Sequence, residues 1–299
     1  MTVFAFGLCV DERYLLPSLV TLESLAGTLP PAERRATAVR ILTTDLTRQH
    51  AATMASLTSR LGFGSFDLRW ARPMNEALLV DADYITITAY LRFQFTPAFV
   101  ARPYLIYVDA DTIAVDDISG PLDGLSEHRL GLVADEFTPA VGRGHALPGL
   151  IEDQPAMSGR PYFNAGVWWA HVRMLAAVRA GVRHALRSGR RYIFHNDQDA
   201  LNLWLLAADA VQQIPGRFNT YELARFLERG DWTRRYTTRS PHDTDTALLH
   251  FVGSAKPWLP SCPPTDHVRL YRSHLRRTLR GVRRLGDFSI DAPAFRRRP

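Results

Sequence analysis

Two short segments of this 299-residue chain combine residue types that bind metal ions and phosphate groups. The first is Asp109-Ala110-Asp111, which directly follows the apolar run Tyr104 to Val108. Side chains two residues apart in an extended chain point to the same side, so both carboxylates can face one cation. The pair would lie beyond the carboxyl end of a strand, where open α/β sheets bind ligands. Taken alone, Asp-x-Asp is more typical of a turn or a cap than of a metal site.

The second segment runs from His250 to Trp258 and carries an imidazole, a glycine turn and an ammonium group. Lys256 is the single lysine among 36 basic residues, the others being arginine. An isolated His is most often a buried core residue, but here Gly253 allows the backbone to approach a ligand closely. The set predicts a pyrophosphate clamp, in which His250 and the carboxylates bind a divalent cation and Lys256 reaches the phosphates. Mixed oxygen and imidazole ligands favour Mn²⁺ over Mg²⁺.

Further polar residues occur at places where an α/β fold exposes ligand-binding groups. His195 to Asp199 opens a predicted helix, either as a capping cluster or as acceptors for sugar hydroxyls, with Gln198 near the reacting carbon. Asn164 is the polar residue of an otherwise apolar run and needs hydrogen-bond partners. Arg92 is a candidate donor to an anion or a sugar, and Asp11 ends the first predicted strand, where a nucleoside often binds.

The elements that must position these residues alternate between strands and helices. The predicted strands are Val3 to Val10, Ala38 to Thr43, Ser65 to Trp70, Tyr104 to Val108, Arg129 to Ala134, Tyr162 to Trp169 and Ala247 to Val252. The predicted helices are Tyr14 to Ala26, Thr47 to Leu61, Tyr84 to Phe93, Val172 to Ser188 and Asp197 to Ala208. This order predicts an α/β fold with a mostly parallel sheet and right-handed crossovers. The Pro- and Gly-rich residues 136–160 are expected to form a long loop.

The chain changes character at residue 266, which suggests a division into residues 1–265 and an Arg-rich segment, 266–299. Residues 267–299 hold ten arginines, two aspartates and no glutamate, while the rest of the chain is close to neutral. Apolar residues recur every three or four positions from Val268 to Leu285, which predicts a basic amphipathic helix. Such a helix either packs on the body with a solvated arginine face or lies on an anionic membrane.

Composition excludes several classes of protein. The chain is 46% hydrophobic and 22% charged, as in globular proteins. No apolar run reaches the length of about 18 residues that spans a membrane. The N-terminal residues lack a basic region, so we expect no secretory signal. Cys9 and Cys262 fit two inert thiols in a reducing cytoplasm. We therefore expect a cytoplasmic protein, whose contact with a membrane would be peripheral and at its inner face.

Taken together and in this order, the segments resemble glycosyltransferase family 8. This family consists of retaining enzymes and includes the bacterial lipopolysaccharide galactosyl- and glucosyltransferases. The resemblance is strongest to the lipopolysaccharide α-galactosyltransferase type. The similarity runs from the first strand to Trp258. The segments that carry it are Val10 to Tyr14, Thr86 to Phe93, Tyr107 to Asp111, Phe163 to Val167, Asp197 to Asn202 and His250 to Trp258.

The resemblance implies a GT-A fold, a UDP-sugar donor such as UDP-glucose or UDP-galactose, Mn²⁺ as cofactor and transfer of a hexose with α-linkage. By motif position, the metal ligands would be Asp109, Asp111 and His250. The nucleotide contacts would be Asp11 for the uracil, with Gly253 and Lys256 for the diphosphate. The residues around the sugar would be Arg92, Asp135, Asn164, Asp197 and Gln198.

Arg13 departs from the family, which often has Asn there, and residues 136–160 match nothing in it. The acceptor hydroxyl therefore stays open between a glycan, a lipid-linked saccharide and a secondary metabolite. Two mechanisms would retain the configuration of the sugar. In one, a carboxylate such as Asp197 or Asp135 acts as nucleophile; the other, front-face displacement, needs no nucleophile from the protein. We favour front-face displacement because the sequence places neither carboxylate clearly as a nucleophile. A catalytically inactive protein with an arginine tail that binds nucleic acid or membrane is the alternative, but the neutral body argues against nucleic acid.

Overall fold

The computed structural model describes residues 2–74, 87–144, 146–147, 149–222 and 245–284. Residues 84–86 of one predicted helix and residues 285–299 of the predicted tail lie outside this range. Within it, no helix is both long enough and apolar enough to cross a membrane.

Within the described residues, ten strands form two sheets. They are β1 (Phe4–Cys9), β2 (Ala38–Thr43), β3 (Ser65–Trp70), β4 (Tyr104–Val108), β5 (Thr112–Ala114), β6 (Leu130–Ala134), β7 (Phe163–His171), β8 (Val211–Ile214), β9 (Thr220–Tyr221) and β10 (Leu248–His250). The large sheet has the order β3-β2-β1-β4-β7-β6-β8, and the small sheet has the order β5-β10-β9.

The large sheet is parallel except at β7, which runs antiparallel to both β4 and β6. The strands β1 and β2 are fully buried, as expected for a sheet covered on both faces. β1 is a continuous apolar run, whereas β2 also buries Arg40, whose guanidinium donates to the carbonyl of Phe99 over 2.8 Å. Because β7 is reversed, its amino end lies at the same edge as the carboxyl ends of β1 and β4. That edge therefore collects residues from three strands.

Helices cover both faces of the large sheet. They are α1 (Leu15–Thr28), α2 (Pro31–Ala36), α3 (Arg48–Leu61), α4 (Pro97–Val100), α5 (Leu150–Asp153), α6 (Leu175–Ser188), α7 (Asn196–Ala208) and α8 (Asp266–Arg283). Leucines of α1 and Met54 of α3 belong to the core on one face, and Val182 of α6 and Leu201 of α7 belong to the core on the other. The predicted mixed α/β fold is confirmed.

The structure adjusts several predicted elements. The stretch expected to be helical before Phe93 is a 3₁₀ helix, Ile87–Gln94, and residues 136–160 contain the short helix α5 as well as loop. The strands β5, β8 and β9 and the helices α2 and α4 were not predicted. They have two to six residues, too few for hydrophobic periodicity to register.

The C-terminal helix α8 packs on the body through its apolar side. Val268, Tyr271 and Leu275 are buried in one cluster with Val20 of α1 and Leu249 of β10. Thr265 caps the helix by accepting from the backbone N–H of Val268. Arg276, Arg280, Arg283 and Arg284 are exposed on the opposite side. The division of the chain at residue 265 stays a prediction.

Candidate metal and nucleotide-sugar site

A cavity of about 200 Å³ lies at the edge of the large sheet where β1 and β4 end and β7 begins. Ten of the eleven predicted site residues line it: Asp11, Arg92, Asp109, Asp111, Asn164, Asp197, Gln198, His250, Gly253 and Lys256. The sequence separates these residues by up to 245 positions, and the sheet topology brings them together.

Asp109, Asp111 and His250 each offer a ligand atom, and these atoms all lie within 4.8 Å of one another. The Nε2 atom of His250 is 3.4 Å from Oδ1 of Asp111 and 4.0 Å from Oδ2 of Asp109. Both carboxylates follow β4, while the imidazole comes from β10, which pairs antiparallel with β5 so that His250 lies opposite Thr112. Two short strands therefore decide where the third ligand stands.

The donor set fits a divalent cation. A Cβ atom added at Gly166 would lie 2.4 Å from Cε1 of His250 and 2.6 Å from Oδ2 of Asp109, so only glycine leaves this space open. Burial first, and then the like charge of Asp111, raise the pKa of the Asp109 carboxyl although Arg92 opposes them. A cation between the two carboxylates would relieve this repulsion. Carboxylates and imidazoles are both common ligands of divalent metal ions in proteins.

Asn219 fixes the orientation of the His250 ring. Its side-chain oxygen lies 2.9 Å from Nδ1 of His250, which leaves Nε2 directed at the carboxylates. Its amide nitrogen donates to Oδ1 of Asn164 over 2.9 Å. Hydrogen bonds of this kind set the tautomer and direction of a metal-binding imidazole.

Arg92 neutralises two carboxylates at once. Its guanidinium is 3.1 Å from Asp109 through Nη2 and 3.1 Å from Asp197 through Nε. Burial disfavours the charged form, but these carboxylates outweigh it and raise the pKa of Arg92. Tyr107 also donates to Asp109, at 2.6 Å, and its ring lies beneath the guanidinium. The arginine therefore stays charged and holds the first aspartate in place.

Lys256 lies on the other side of the aspartate pair. Its ammonium donates to Oδ2 of Asp111 and, over 2.8 Å, to the carbonyl of Phe251. Burial opposes the ionised form of Asp111, yet Lys256 and His250 hold the pKa of this carboxyl well below its usual value. Gly253 has a φ of +77°, a conformation that favours glycine, and it turns the chain so that Lys256 faces the cavity.

A second part of the cavity lining is built from amides. Asn164 donates to Oε1 of Gln198 over 2.9 Å, and Gln198 donates to Oδ2 of Asp135 over 3.0 Å. Asp135 also accepts from the hydroxyl of Tyr221 at 2.7 Å and from two backbone N–H groups. Asp135 is therefore not a lining residue of the cavity but the carboxylate that holds Gln198.

The helix that carries Asp197 and Gln198 is fixed by a buried carboxylate. Asp199 accepts from the hydroxyl of Tyr162 and from the backbone N–H of Phe194, both at 2.6 Å. Burial raises the pKa of Asp199 despite these bonds. Within the segment His195 to Asp199, the capping role that the sequence suggested therefore belongs to Asp199, while Asp197 and Gln198 line the cavity.

Sequence reasoning missed Asn219 and Tyr221, which orient His250 and Asp135. Asn219 precedes the two-residue strand β9 and Tyr221 ends it. So short a strand has no recognisable periodicity, so no sequence signal marked either residue. The sequence predicts an inert thiol at Cys9. This residue lines the cavity, and burial raises the pKa of its thiol, which suits an unreactive group. Arg13, where the sequence departs from the family, is exposed and is not a lining residue.

An α/β domain with this strand order, an Asp-x-Asp pair and a histidine beside one cavity has the architecture of a nucleotide-sugar-dependent transferase. Residues 6–262 match the model of glycosyl transferase family 8. The chain belongs to this family and carries a glycosyltransferase domain, as the sequence predicted.

The solved structures that resemble this one agree with a GT-A fold. Galactosyltransferase LgtC, solved with donor and acceptor sugar analogs, superposes with a TM-score of 0.69 at 21% identity, covering 91% of this chain and 95% of that one. The glycosyltransferase GlyE of Streptococcus pneumoniae, in its apo form, gives a TM-score of 0.63 at 16% identity and covers 95% of this chain and 63% of that one.

A curated relative is more similar in sequence. The "Probable galacturonosyltransferase-like 8" of Arabidopsis thaliana is 30% identical over 215 residues, which are 63% of this chain and 51% of the relative. The chain thus spans about half the length of the curated relatives it matches.

Proposed function

We propose that this protein transfers a hexose from a UDP-sugar to an acceptor hydroxyl, with a divalent cation, preferentially Mn²⁺, and with retention that gives an α-linkage. One observation carries the proposal: Asp109, Asp111 and His250 converge with Lys256 at one end of a cavity. A metal-ligand set beside a buried ammonium is complementary to a diphosphate.

The residues of the chain would divide the work as follows. Asp109, Asp111 and His250 would hold the cation, which when bound stabilises negative charge on the leaving diphosphate. Lys256 would bind the same phosphates, with an attraction of about 4 kcal/mol before desolvation at a separation of about 4 Å and an effective dielectric of about 20. Asp11 would bind the uracil at the end of β1.

The charges of the cavity favour a neutral hexose over a uronic acid. Among the described residues, its arginine and lysine side chains are Arg92 and Lys256, and both already contact carboxylates. A uronate would need a further cation for its own carboxylate. The proposed sugar, glucose or galactose, would instead hydrogen-bond to Asn164, Gln198 and Asp197.

The same contacts support front-face displacement. Asp197 is paired with Arg92, Asp135 is saturated by donors that include Gln198, and Gln198 itself is an amide. A carboxylate held in this way is a poor nucleophile. The leaving phosphate would then accept the proton of the acceptor hydroxyl.

The test is a donor screen with the full chain, in which UDP-glucose, UDP-galactose, UDP-N-acetylglucosamine and UDP-galacturonate are compared by released UDP. We expect release from one of the first two with Mn²⁺ and none with EDTA. Release that persists in EDTA would refute the metal role, and preference for UDP-galacturonate would refute the neutral hexose. A glycosyl ester trapped on Asp197 or Asp135 during turnover would exclude front-face displacement.

The acceptor is proposed to be a saccharide or another small hydroxyl compound at the cytoplasmic side of a membrane, with the exposed arginines of α8 in peripheral contact with anionic lipid. Because the apolar side of α8 is packed on the body, deleting residues 267–299 would also damage the fold. The triple substitution of Arg276, Arg280 and Arg283 by Gln is the cleaner test. It should abolish sedimentation with phosphatidylglycerol vesicles and leave release of UDP unchanged; undiminished sedimentation would refute the contact.

A further inference from the structure

Arg272 of α8 joins the C-terminal helix to the segment that carries Lys256. Its guanidinium donates to the backbone carbonyls of Pro257 and Leu259, each at 3.0 Å, and to that of Cys262 at 3.3 Å. These carbonyls belong to the turns that directly follow Lys256. The family match ends at residue 262, so the guanidinium reaches back into the matched domain from beyond it.

The neighbouring aromatic residue holds the same segment at both ends. The ring of Tyr271 packs edge-on against Phe251, with centroids 5.2 Å apart, and at a tilt of 39° against Trp258, with centroids 5.8 Å apart. Trp258 in turn contacts the ring of Tyr14, which lines the cavity. Helix α8 therefore contacts the loop that contains Lys256 before and after the lysine.

We propose that Arg272 is a positioning residue for the donor diphosphate: it fixes the turns of residues 257–262 so that the ammonium of Lys256 stays at the cavity. The proposal rests on the proposed function for the role of Lys256. The guanidinium reaches the three carbonyls through two nitrogens, Nε and Nη2, held in a rigid plane, whereas the three donors of an ammonium radiate from a single nitrogen on a flexible stem. Charge alone would not replace it.

The experiment uses the full chain with Arg272→Lys and Arg272→Ala, and Arg276→Ala as control, since Arg276 lies four residues further along the same helix and is exposed. Three quantities are measured: the dissociation constant of UDP with Mn²⁺, the KM and kcat of donor hydrolysis, and hydrogen exchange of backbone amides. We expect both Arg272 variants to weaken UDP binding about tenfold and to raise KM more than they lower kcat, with the control unchanged.

Hydrogen exchange separates positioning from general stability. The backbone amide of Leu259 donates to the carbonyl of Lys256, and that of Cys262 donates to the carbonyl of Leu259. Both amides should exchange faster in the Arg272 variants, whereas the amides of β1 and β4 should exchange at the wild-type rate. Faster exchange throughout the chain, UDP binding that is unchanged, or full rescue by lysine would each overturn the proposal. If the wild-type chain binds no UDP, the proposed function is overturned, and so is the role of Arg272 in diphosphate binding. Hydrogen exchange at Leu259 and Cys262 would still show whether Arg272 holds the turns of residues 257–262.

Discussion

Two sides of the cavity are built by different interactions. The charged wall consists of Asp109, Asp111, His250 and Lys256. In it, Lys256 forms an ion pair with Asp111, and Nε2 of His250 lies 3.4 Å from the same carboxylate. The amide wall consists of Asn164 and Gln198, which line the cavity, together with the fully buried Asn219, and neutral hydrogen bonds join the three. The first wall suits ions and phosphates, whose charge is strong and weakly directional, and the second suits hydroxyl groups, which need donors and acceptors at defined angles.

The difference predicts how each wall responds to substitution. Removing a member of the charged wall leaves another buried charge without its partner, so binding and stability should both change strongly. Removing a member of the amide wall leaves a neutral group unsatisfied, which costs less. Asn219 touches both walls, so it tests whether they are independent.

The largest effect is expected for Asp111→Asn. The variant loses a charged metal ligand, and donor hydrolysis should fall by about a hundredfold or more, since a bound cation contributes several kcal/mol to stabilising the leaving group. Calorimetric titration with Mn²⁺ and the rate of UDP release measure it. Asp123→Asn, at an exposed turn, serves as control. Undiminished Mn²⁺ affinity would show that the charged wall is not the metal site.

Lys256→Met should follow, with a more than tenfold loss of donor hydrolysis because the diphosphate loses its ammonium partner. The melting temperature should fall in EDTA, where Asp111 is left without this partner, and recover at least partly with Mn²⁺. Lys256→Arg tests whether a compact ammonium is required: we expect it to restore stability but not full activity. Near-wild-type activity of the Met variant would contradict the clamp.

Asn219→Leu comes third. It should weaken Mn²⁺ binding about tenfold by releasing the His250 ring, and lower the free energy of unfolding by about 1–3 kcal/mol because buried groups lose partners. Asn219→Asp keeps the oxygen that faces His250 and removes the donor to Asn164, so it should spare Mn²⁺ affinity more than donor binding. Equal Mn²⁺ affinity in wild type and the Leu variant would mean that the walls act separately.

The smallest effect is expected outside both walls, at Glu23 of α1, which binds His274 and Arg277 of α8. Burial opposes ionisation of this carboxyl, but those two partners outweigh it and lower its pKa below the ordinary value of 4.5. Its contribution is therefore present above pH 4.5 and is lost as the pH falls through the lower folded value. Glu23→Gln should cost about 1 kcal/mol at pH 7 and nothing near pH 2, by urea unfolding.

The same variant should release UDP at the wild-type rate, because Glu23 contacts neither wall. A large loss of activity with unchanged stability would contradict this expectation. It would mean that the geometry of the cavity depends on the contact between α1 and α8.

The two walls also differ in how far the sequence predicted them. All four residues of the charged wall lie in short segments whose chemistry is visible without a structure, and Lys256 stands out as the single lysine. In the amide wall, Asn164 and Gln198 were predicted and Asn219 was not. The roles assigned to all these residues stay predictions.

The sequence by itself determined the order of the longer strands and helices, the family and ten of the residues that line the cavity, because continuous apolar runs and compact polar segments are local features. The tertiary structure alone decided the partners. The reversed direction of β7, the pairing of β10 with β5 and the contact of Arg272 with residues 257–262 depend on chain segments that are far apart. Long-range pairing depends on how buried surfaces and hydrogen-bond donors fit in three dimensions, and no local pattern encodes that fit.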